Sequence, residues 1–166
     1  MRKNLVLCLL LSGVLLTGLT GCSNSSISNT PDTNASIQLS QYDASIKMKK
    51  IGGNAIGLQD GFASQIQKMT SATVTPNETD YSILTDSLLS AKESLNSNIN
   101  ELKSLNAPTA SKKYKEALLN ALVSYQNEIN KLITSSNAAN KEDLKNNFNT
   151  FQNVSIALQG AIDQIN

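Results

Sequence analysis

Few residues in this chain could carry out chemistry, and the cysteines Cys8 and Cys22 stand out among them. The chain has no histidine, and its single arginine is Arg2. It therefore lacks the commonest general base near neutral pH and the usual ligand set of zinc, copper and iron sites. Its carboxylates are scattered and form no calcium loop of the usual spacing. The sequence predicts no enzyme activity, no metal site and no cofactor.

Cys22 closes a segment with the three parts of a secretory signal. Arg2 and Lys3 make a basic start, an apolar run extends from Leu5 to Leu16, and Leu19-Thr20-Gly21-Cys22 follows. A membrane-spanning helix needs about 20 apolar residues, so this run is too short to span a bilayer. The sequence therefore predicts that residues 1–21 form a secretory signal peptide and not a membrane-spanning helix.

The motif Leu19-Thr20-Gly21-Cys22 resembles the lipobox of bacterial lipoproteins. The resemblance implies a diacylglyceryl thioether on the Cys22 sulfur and cleavage between Gly21 and Cys22. Two or more acyl chains give stable anchoring where one does not. The resemblance thus implies a lipid-anchored protein on the extracytoplasmic face of the cell membrane. A Gram-positive host is expected. No cofactor is expected apart from the covalent lipid on Cys22. A secreted protein with a chance cysteine at the cut is the alternative.

The charge of the mature chain argues against nucleic acid as its partner. Loss of Arg2 and Lys3 leaves twelve lysines of the 14 basic residues, against 13 Asp plus Glu. A near-neutral chain without a strongly basic face is not typical of a nucleic-acid binder. With Cys8 removed and Cys22 alkylated, no disulfide is expected.

The chain after the motif divides into a linker, residues 22–40, and a folded domain, residues 41–166. The linker is polar, and Asp32 is its only charged residue. Such a composition buries too little apolar surface to offset its ordering entropy, so we expect a disordered tether.

Residues 41–166 predict an all-α fold, an up-and-down antiparallel bundle of three to four long helices. Thr75-Pro76-Asn77-Glu78 has the spacing of a capping box with Thr75 as N-cap. Apolar residues then recur every three or four positions, which places them along one helix face: Tyr81, Leu84, Leu88, Ala91, Leu95, Ile99, Leu102 and Leu105.

Two more helices are predicted by the same spacing. One starts at about Pro108 and breaks at Ser135-Ser136-Asn137, and the other follows Asn140. The first has apolar positions at Tyr114, Ala117, Leu118, Ala121, Leu122, Tyr125, Ile129, Leu132 and Ile133. The second has them at Leu144, Phe148, Phe151, Val154, Leu158, either Ala161 or Ile162, and Ile165. Short connections make such helices antiparallel neighbours.

The segment Ala44–Ala72 leaves two alternatives open. Four glycines, Gly52, Gly53, Gly57 and Gly61, count against a helix, because each interior glycine costs a helix about 1 kcal/mol relative to alanine. Helical spacing nevertheless recurs at apolar positions that would face the core: Ala44, Met48, Ile51, Ala55, Leu58, Phe62, Ile66, Met69 and Ala72. Residues 44–58 could instead form a β-hairpin that turns at Gly53-Asn54. We favour the helix, because an isolated hairpin is marginally stable in water.

Three groups of residues are candidates for contacts. Gly53, Gly57 and Gly61 recur every four residues, so on a helix they would form a close-packing face for a partner helix, in this molecule or another. Two lysine clusters could meet anionic lipid or wall polymer, and four tyrosines could mark a ligand site. The lysines are Lys47, Lys49 and Lys50, then Lys112, Lys113 and Lys115, and the tyrosines are Tyr42, Tyr81, Tyr114 and Tyr125. Solvated helix faces and core packing are the alternatives.

An anchored, tethered helical domain without catalytic side chains fits a binding or scaffolding module that works through protein contacts. The expected partners are the membrane, through the lipid, and a protein of unknown identity, with no nucleic acid. A small-ligand receptor or accessory subunit of an uptake system is the alternative.

Overall fold

The computed structural model describes residues 39–166, which form an all-α bundle. A 3₁₀ turn, Leu58–Gly61, joins the first two helices, and the two together make the first of four helical columns. Among the described residues there is no β-strand, and the predicted up-and-down bundle is confirmed. The helices are α1 (Gln41–Gly57), α2 (Ala63–Thr70), α3 (Glu78–Ser104), α4 (Lys112–Asn137) and α5 (Lys141–Asp163).

Chain direction alternates from column to column. α4 packs against α3 and α5 along most of its length, while α1 packs against α3 and α5. Ser45 donates a hydrogen bond to the Asn166 carbonyl near the start of α1. Beyond the end of α1, Ser155 Oγ donates to Gln59 Oε1 at 3.1 Å. α1 and α5 are therefore antiparallel.

We name the two ends of the bundle by their connections. The proximal end holds the start of α1, the α3–α4 connection and the last residues of α5, and the distal end holds the α2–α3 and α4–α5 connections. At the distal end, Lys141 Nζ donates to the Ser71 carbonyl at 2.6 Å and also to that of Val74. This ammonium group holds the α2–α3 connection against the start of α5.

Residues 44–58, for which a hairpin was the alternative, are helical apart from Leu58, which opens the 3₁₀ turn. The column breaks where its glycines lie, because Gly57 ends α1 and Gly61 ends the 3₁₀ turn. Phe62 then leaves the helical region with φ −135° and ψ −21°. α2 ends at Thr70, so Ala72, predicted as a helical core position, lies in a turn and is exposed.

The predicted capping box of α3 is wrong by two residues. Asn77 is the N-cap: its Oδ1 accepts from the Asp80 amide at 3.0 Å, and Asp80 Oδ2 accepts from the Asn77 amide at 2.9 Å. Asn is at least as good an N-cap as Thr, and a carboxylate three residues later completes the reciprocal pair. Thr75 and Pro76 therefore precede the helix.

The α4–α5 connection is a Schellman turn with an alanine in place of the usual glycine. The Asn140 amide donates to the Ser135 carbonyl and the Ala139 amide to that of Ser136, each at 3.0 Å. Ala139 has φ 49°, the only non-glycine residue with positive φ in the described part. Left-handed geometry is strained for alanine, so the two flanking helices determine this turn.

The predicted apolar positions line the core with few exceptions. Every predicted position of α3 from Tyr81 to Leu105 is buried, whereas Ala117 of α4 is exposed. Phe151 lies at the centre, with its ring centroid 4.8 Å from that of Tyr125, 5.3 Å from Phe62 and 6.0 Å from Phe148. The first column, α4 and α5 therefore meet at one aromatic cluster.

Candidate functional site

The predicted lipidation site lies outside the described residues. Gly21 and Cys22 belong to residues 1–38, as does most of the predicted tether, so both remain predictions. The described chain reaches the bundle at its proximal end, where Ser40 caps α1 by accepting a hydrogen bond from the Asp43 amide at 3.1 Å. Any segment that links Cys22 to the bundle therefore joins it at the proximal end.

Gly53, Gly57 and Gly61 do not form a close-packing face inside the bundle. All three are exposed, and an added Cβ would meet nothing within 4 Å at any of them. The prediction is wrong for an intramolecular contact, because Gly53 and Gly57 lie opposite the buried face of α1 and Gly61 lies in the exposed 3₁₀ turn. Contact with another molecule remains a prediction.

Close approach occurs instead at Gly52, which is buried. A Cβ on Gly52 would lie 2.5 Å from Ile162 Cγ1 and 3.3 Å from Leu118 Cδ1. α1 thus packs tightly against α5 and α4 at this level. Sequence reasoning missed Gly52, because its place beside Ile51 at the border of the apolar stripe indicates burial but not the close contact with Ile162.

The two lysine clusters lie at the same end of the molecule. Lys47, Lys49 and Lys50 lie within the first three turns of α1, and Lys112 and Lys113 open α4, all exposed and all at the proximal end. Sequence spacing alone gave no reason to bring them together.

Lys115 has a structural role that separates it from its neighbours. Its Nζ donates to the carbonyl oxygens of Lys103 at 2.8 Å and Leu105 at 2.7 Å. A cation on the last carbonyls of a helix is favourable both as a cap and toward the helix dipole. Lys115 therefore closes the end of α3.

The tyrosines do not converge on one site. Tyr81 and Tyr125 are buried, Tyr114 is half-buried, and Tyr42 is 74% exposed. Burial, and to a lesser degree the Asp60 carboxylate, raise the pKa of the Tyr125 phenol, and the nearby Ser155 hydroxyl lowers it in part. The Ser155 hydroxyl donates to Gln59 instead, so the buried phenol oxygen has no partner in hydrogen-bond geometry. A neutral, buried phenol of this kind is not a general base.

The distal end carries an open cleft of about 370 Å³ between α3 and the α4–α5 turn. Its polar groups satisfy one another, since Thr85 Oγ1 donates to Ser136 Oγ at 2.8 Å and Ser136 Oγ donates to the Tyr81 carbonyl at 3.0 Å. The charged side chains on its wall, Glu78 and Asp86, have the same sign. The cleft offers no convergent set of groups for a ligand.

One carboxylate is buried away from these surfaces. Glu128 is 7% exposed, its Oε1 lies 2.8 Å from Lys131 Nζ, and its Oε2 has no partner. Among residues 39–166 no three His, Cys, Asp or Glu side chains are placed to hold a metal ion. No helix within the same range is long and apolar enough to cross a membrane.

Comparisons of the chain with protein-family models, curated proteins and solved structures give no match.

Proposed function

We propose that this protein is a membrane-anchored lipoprotein that presents a non-catalytic helical binding or scaffolding module on the extracytoplasmic face of the cell membrane. The single observation that carries the proposal is the motif Leu19-Thr20-Gly21-Cys22 behind a basic start and a short apolar run. The membrane of a Gram-positive bacterium is the proposed location.

The surface of the bundle offers little for catalysis. Large apolar side chains reach solvent singly on α1, α3, α4 and α5, as they do on most protein surfaces, and they surround no reactive centre. They are Tyr42, Ile46, Ile83, Leu89, Val123 and Ile156. The chain also lacks histidine, and the described part holds no cysteine, so acid–base and thiol chemistry have few carriers there.

Cell fractionation of two cysteine variants tests the anchor. Cys22→Ala removes the thiol that would take the diacylglyceryl group, so the protein is expected to leave the membrane fraction or to remain as uncut precursor. Cys8→Ala is the matched control, because Cys8 lies inside the predicted signal peptide and its loss should leave a membrane-bound mature protein. Labelled fatty acid should be incorporated by the control and not by Cys22→Ala. A mature, labelled and membrane-bound Cys22→Ala protein would refute the anchor.

Capture from detergent-solubilised membranes tests the binding role. The lipidated chain should enrich a defined protein above the level found with Cys22→Ala. The complex forms only when this protein and its partner lie on the same membrane surface, and Cys22→Ala is expected to leave that surface. Enrichment of nothing above that background would count against the scaffolding role and leave the anchor standing.

A further inference from the structure

The exposed face of α1 near the proximal end combines apolar and basic side chains. Tyr42 is 74% exposed and Ile46 is 48% exposed, and they lie one turn apart. Lys49 and Lys50 follow at the next turn of the same face, since positions separated by three, four, seven or eight residues share a side of a helix. Lys47 lies at the edge of this face, which we name the α1 face.

The charge at the proximal end is positive beyond the α1 face itself. Residues 39–50, 100–116 and 160–166, which form this end, contain seven lysines against four carboxylates. Residues 66–86 and 128–147, at the distal end, contain four lysines against six carboxylates. A near-neutral chain is therefore polarised along the bundle axis, with a positive potential at one end.

The carboxylate on α1 does not cancel the lysines. Asp43 is the only acidic residue of α1, and its Oδ2 accepts a hydrogen bond of 2.6 Å from the Ser40 hydroxyl at the helix N-terminus. A carboxylate in the first turn interacts favourably with the helix dipole. Lys47, Lys49 and Lys50, in contrast, have neither a salt bridge nor a hydrogen bond among those of the described residues.

The position of the incoming chain indicates what the α1 face meets. The described chain starts at Leu39, directly before α1, so residues between Cys22 and Leu39 attach beside this face. A flexible tether of about 17 residues would have a root-mean-square length of roughly 20–25 Å. A lipid on Cys22 would hold the α1 face at roughly that average distance from the headgroups.

We propose that the α1 face, Tyr42, Ile46, Lys47, Lys49 and Lys50, docks onto anionic lipid headgroups and sets the orientation of the bundle on the membrane. Lysine ammonium groups pair with lipid phosphates, while Tyr42 and Ile46 enter the apolar boundary below them. The exposed Gly53 continues the same face without a side chain, so the α1 backbone can approach the surface. Because these residues run along one side of α1, docking lays that helix along the membrane surface. This docking role rests on the proposed lipid anchor.

A single tryptophan can report docking, because the chain contains none. The probe is the full, lipidated chain carrying Tyr42→Trp, reconstituted in vesicles of phosphatidylcholine with or without phosphatidylglycerol. On anionic vesicles at low salt, the tryptophan emission should shift to the blue and be quenched by brominated lipid. On neutral vesicles, or at 0.5 M salt, where the Debye length falls to about 4 Å, emission should be that of a solvent-exposed tryptophan. Ile83→Trp on α3 (Ile83 is 54% exposed) should stay solvent-like throughout.

Two charge-matched triple variants in the Tyr42→Trp background separate docking from net charge. The first variant combines Lys47→Gln, Lys49→Gln and Lys50→Gln. Each lysine near an anionic surface contributes about fivefold to binding, so this variant should lower the ratio of docked to undocked protein about a hundredfold. Lys68→Gln, Lys92→Gln and Lys145→Gln remove the same charge elsewhere and should leave the signal unchanged.

Docking is refuted if the emission of the Tyr42→Trp protein is the same on anionic and neutral vesicles, or if both triple variants lose the signal equally. Flotation of the same samples with neutral vesicles measures separately whether the lipid anchor holds the protein on the vesicle. Protein that floats but shows no emission shift on anionic vesicles refutes docking alone, while protein that fails to float refutes the lipid anchor.

Discussion

At the scale of single residues, Gly52 and Gly53 are adjacent in sequence and lie in opposite environments. Gly52 sits where α1 approaches α5 so closely that a Cβ would overlap Ile162, while Gly53 faces open space. Both lie inside α1, so their helix propensities are the same. Only packing distinguishes the two positions.

Gly52→Ala should destabilise the bundle by about 1–2 kcal/mol, because the overlap with Ile162 exceeds the roughly 1 kcal/mol that alanine gains over glycine in a helix. Gly53→Ala should stabilise it by about 0.5–1 kcal/mol, since only the propensity changes. Urea unfolding followed by circular dichroism measures both. Equal stabilisation by the two variants would contradict the close approach at Gly52.

Tyr125 presents a different residue-scale conflict, a phenol buried without a hydrogen-bond partner. Burial, then the Asp60 carboxylate, raise its pKa above the ordinary value of 10.0. A raised pKa means that the folded state holds the phenolic proton more tightly than the unfolded chain. The resulting stability is complete below pH 10 and is lost as the pH rises beyond it.

Tyr125→Phe should therefore reduce the loss of stability above about pH 10, and near pH 7 it should be neutral or stabilise by up to about 1 kcal/mol, since it removes an unpaired buried hydroxyl. Thermal unfolding across roughly pH 7–11, on either side of the ordinary phenol pKa, provides the test, with the exposed Tyr42→Phe as control. An alkaline profile identical to that of the wild type would show that the buried phenol contributes nothing to it.

At the scale of elements, apolar spacing predicted the helices well and their ends less well. The α3 stripe from Tyr81 to Leu105 was correct at every position, because spacings of three and four reflect helix geometry directly. The N-cap was misplaced, because Thr75 and Asn77 both suit a cap, and only the Asp80 carboxylate bonded to the Asn77 amide distinguishes them.

Asn77→Ala should cost about 1 kcal/mol, within a range of roughly 0.5–2 kcal/mol, because it leaves the Asp80 amide without its acceptor. Thr75→Ala is the matched control and should change the free energy of unfolding by less than about 0.5 kcal/mol. The shift of the urea midpoint measures each. A larger loss of unfolding free energy with Thr75→Ala than with Asn77→Ala would instead support a capping box that begins at Thr75.

The glycine face shows what periodicity can and cannot determine. At about 100° per residue, Gly53 and Gly57 lie roughly opposite Ile51 and Ala55, so the sequence already placed them away from the core. The contact at Gly52 was not predictable in this way, because it depends on Ile162 of α5 lying directly opposite Gly52. The packing of α1 against α5 determines which residues of the two helices lie opposite each other.

At the scale of the whole molecule, the two lysine clusters and the start of the described chain lie at the same, proximal end of the bundle. The sequence revealed two separate lysine clusters, and only the alternating course of the helices brings them to the end where the described chain begins. Lysine spacing alone does not show this, but the predicted up-and-down topology implies it, because the first and third columns of such a bundle start at the same end. In the proposed function, the end of the bundle that carries these lysines is therefore the end nearest the anchor.

The central claim is that Cys22 carries the lipid that holds this domain at the membrane. Intact mass spectrometry of protein purified from the membrane fraction tests it most directly. We predict a chain that begins at Cys22 and carries the added mass of a diacylglyceryl group, with or without a further acyl chain on the amine. Membrane-bound protein with an unmodified Cys22 thiol, or with a mature N-terminus at any other residue, would contradict the account.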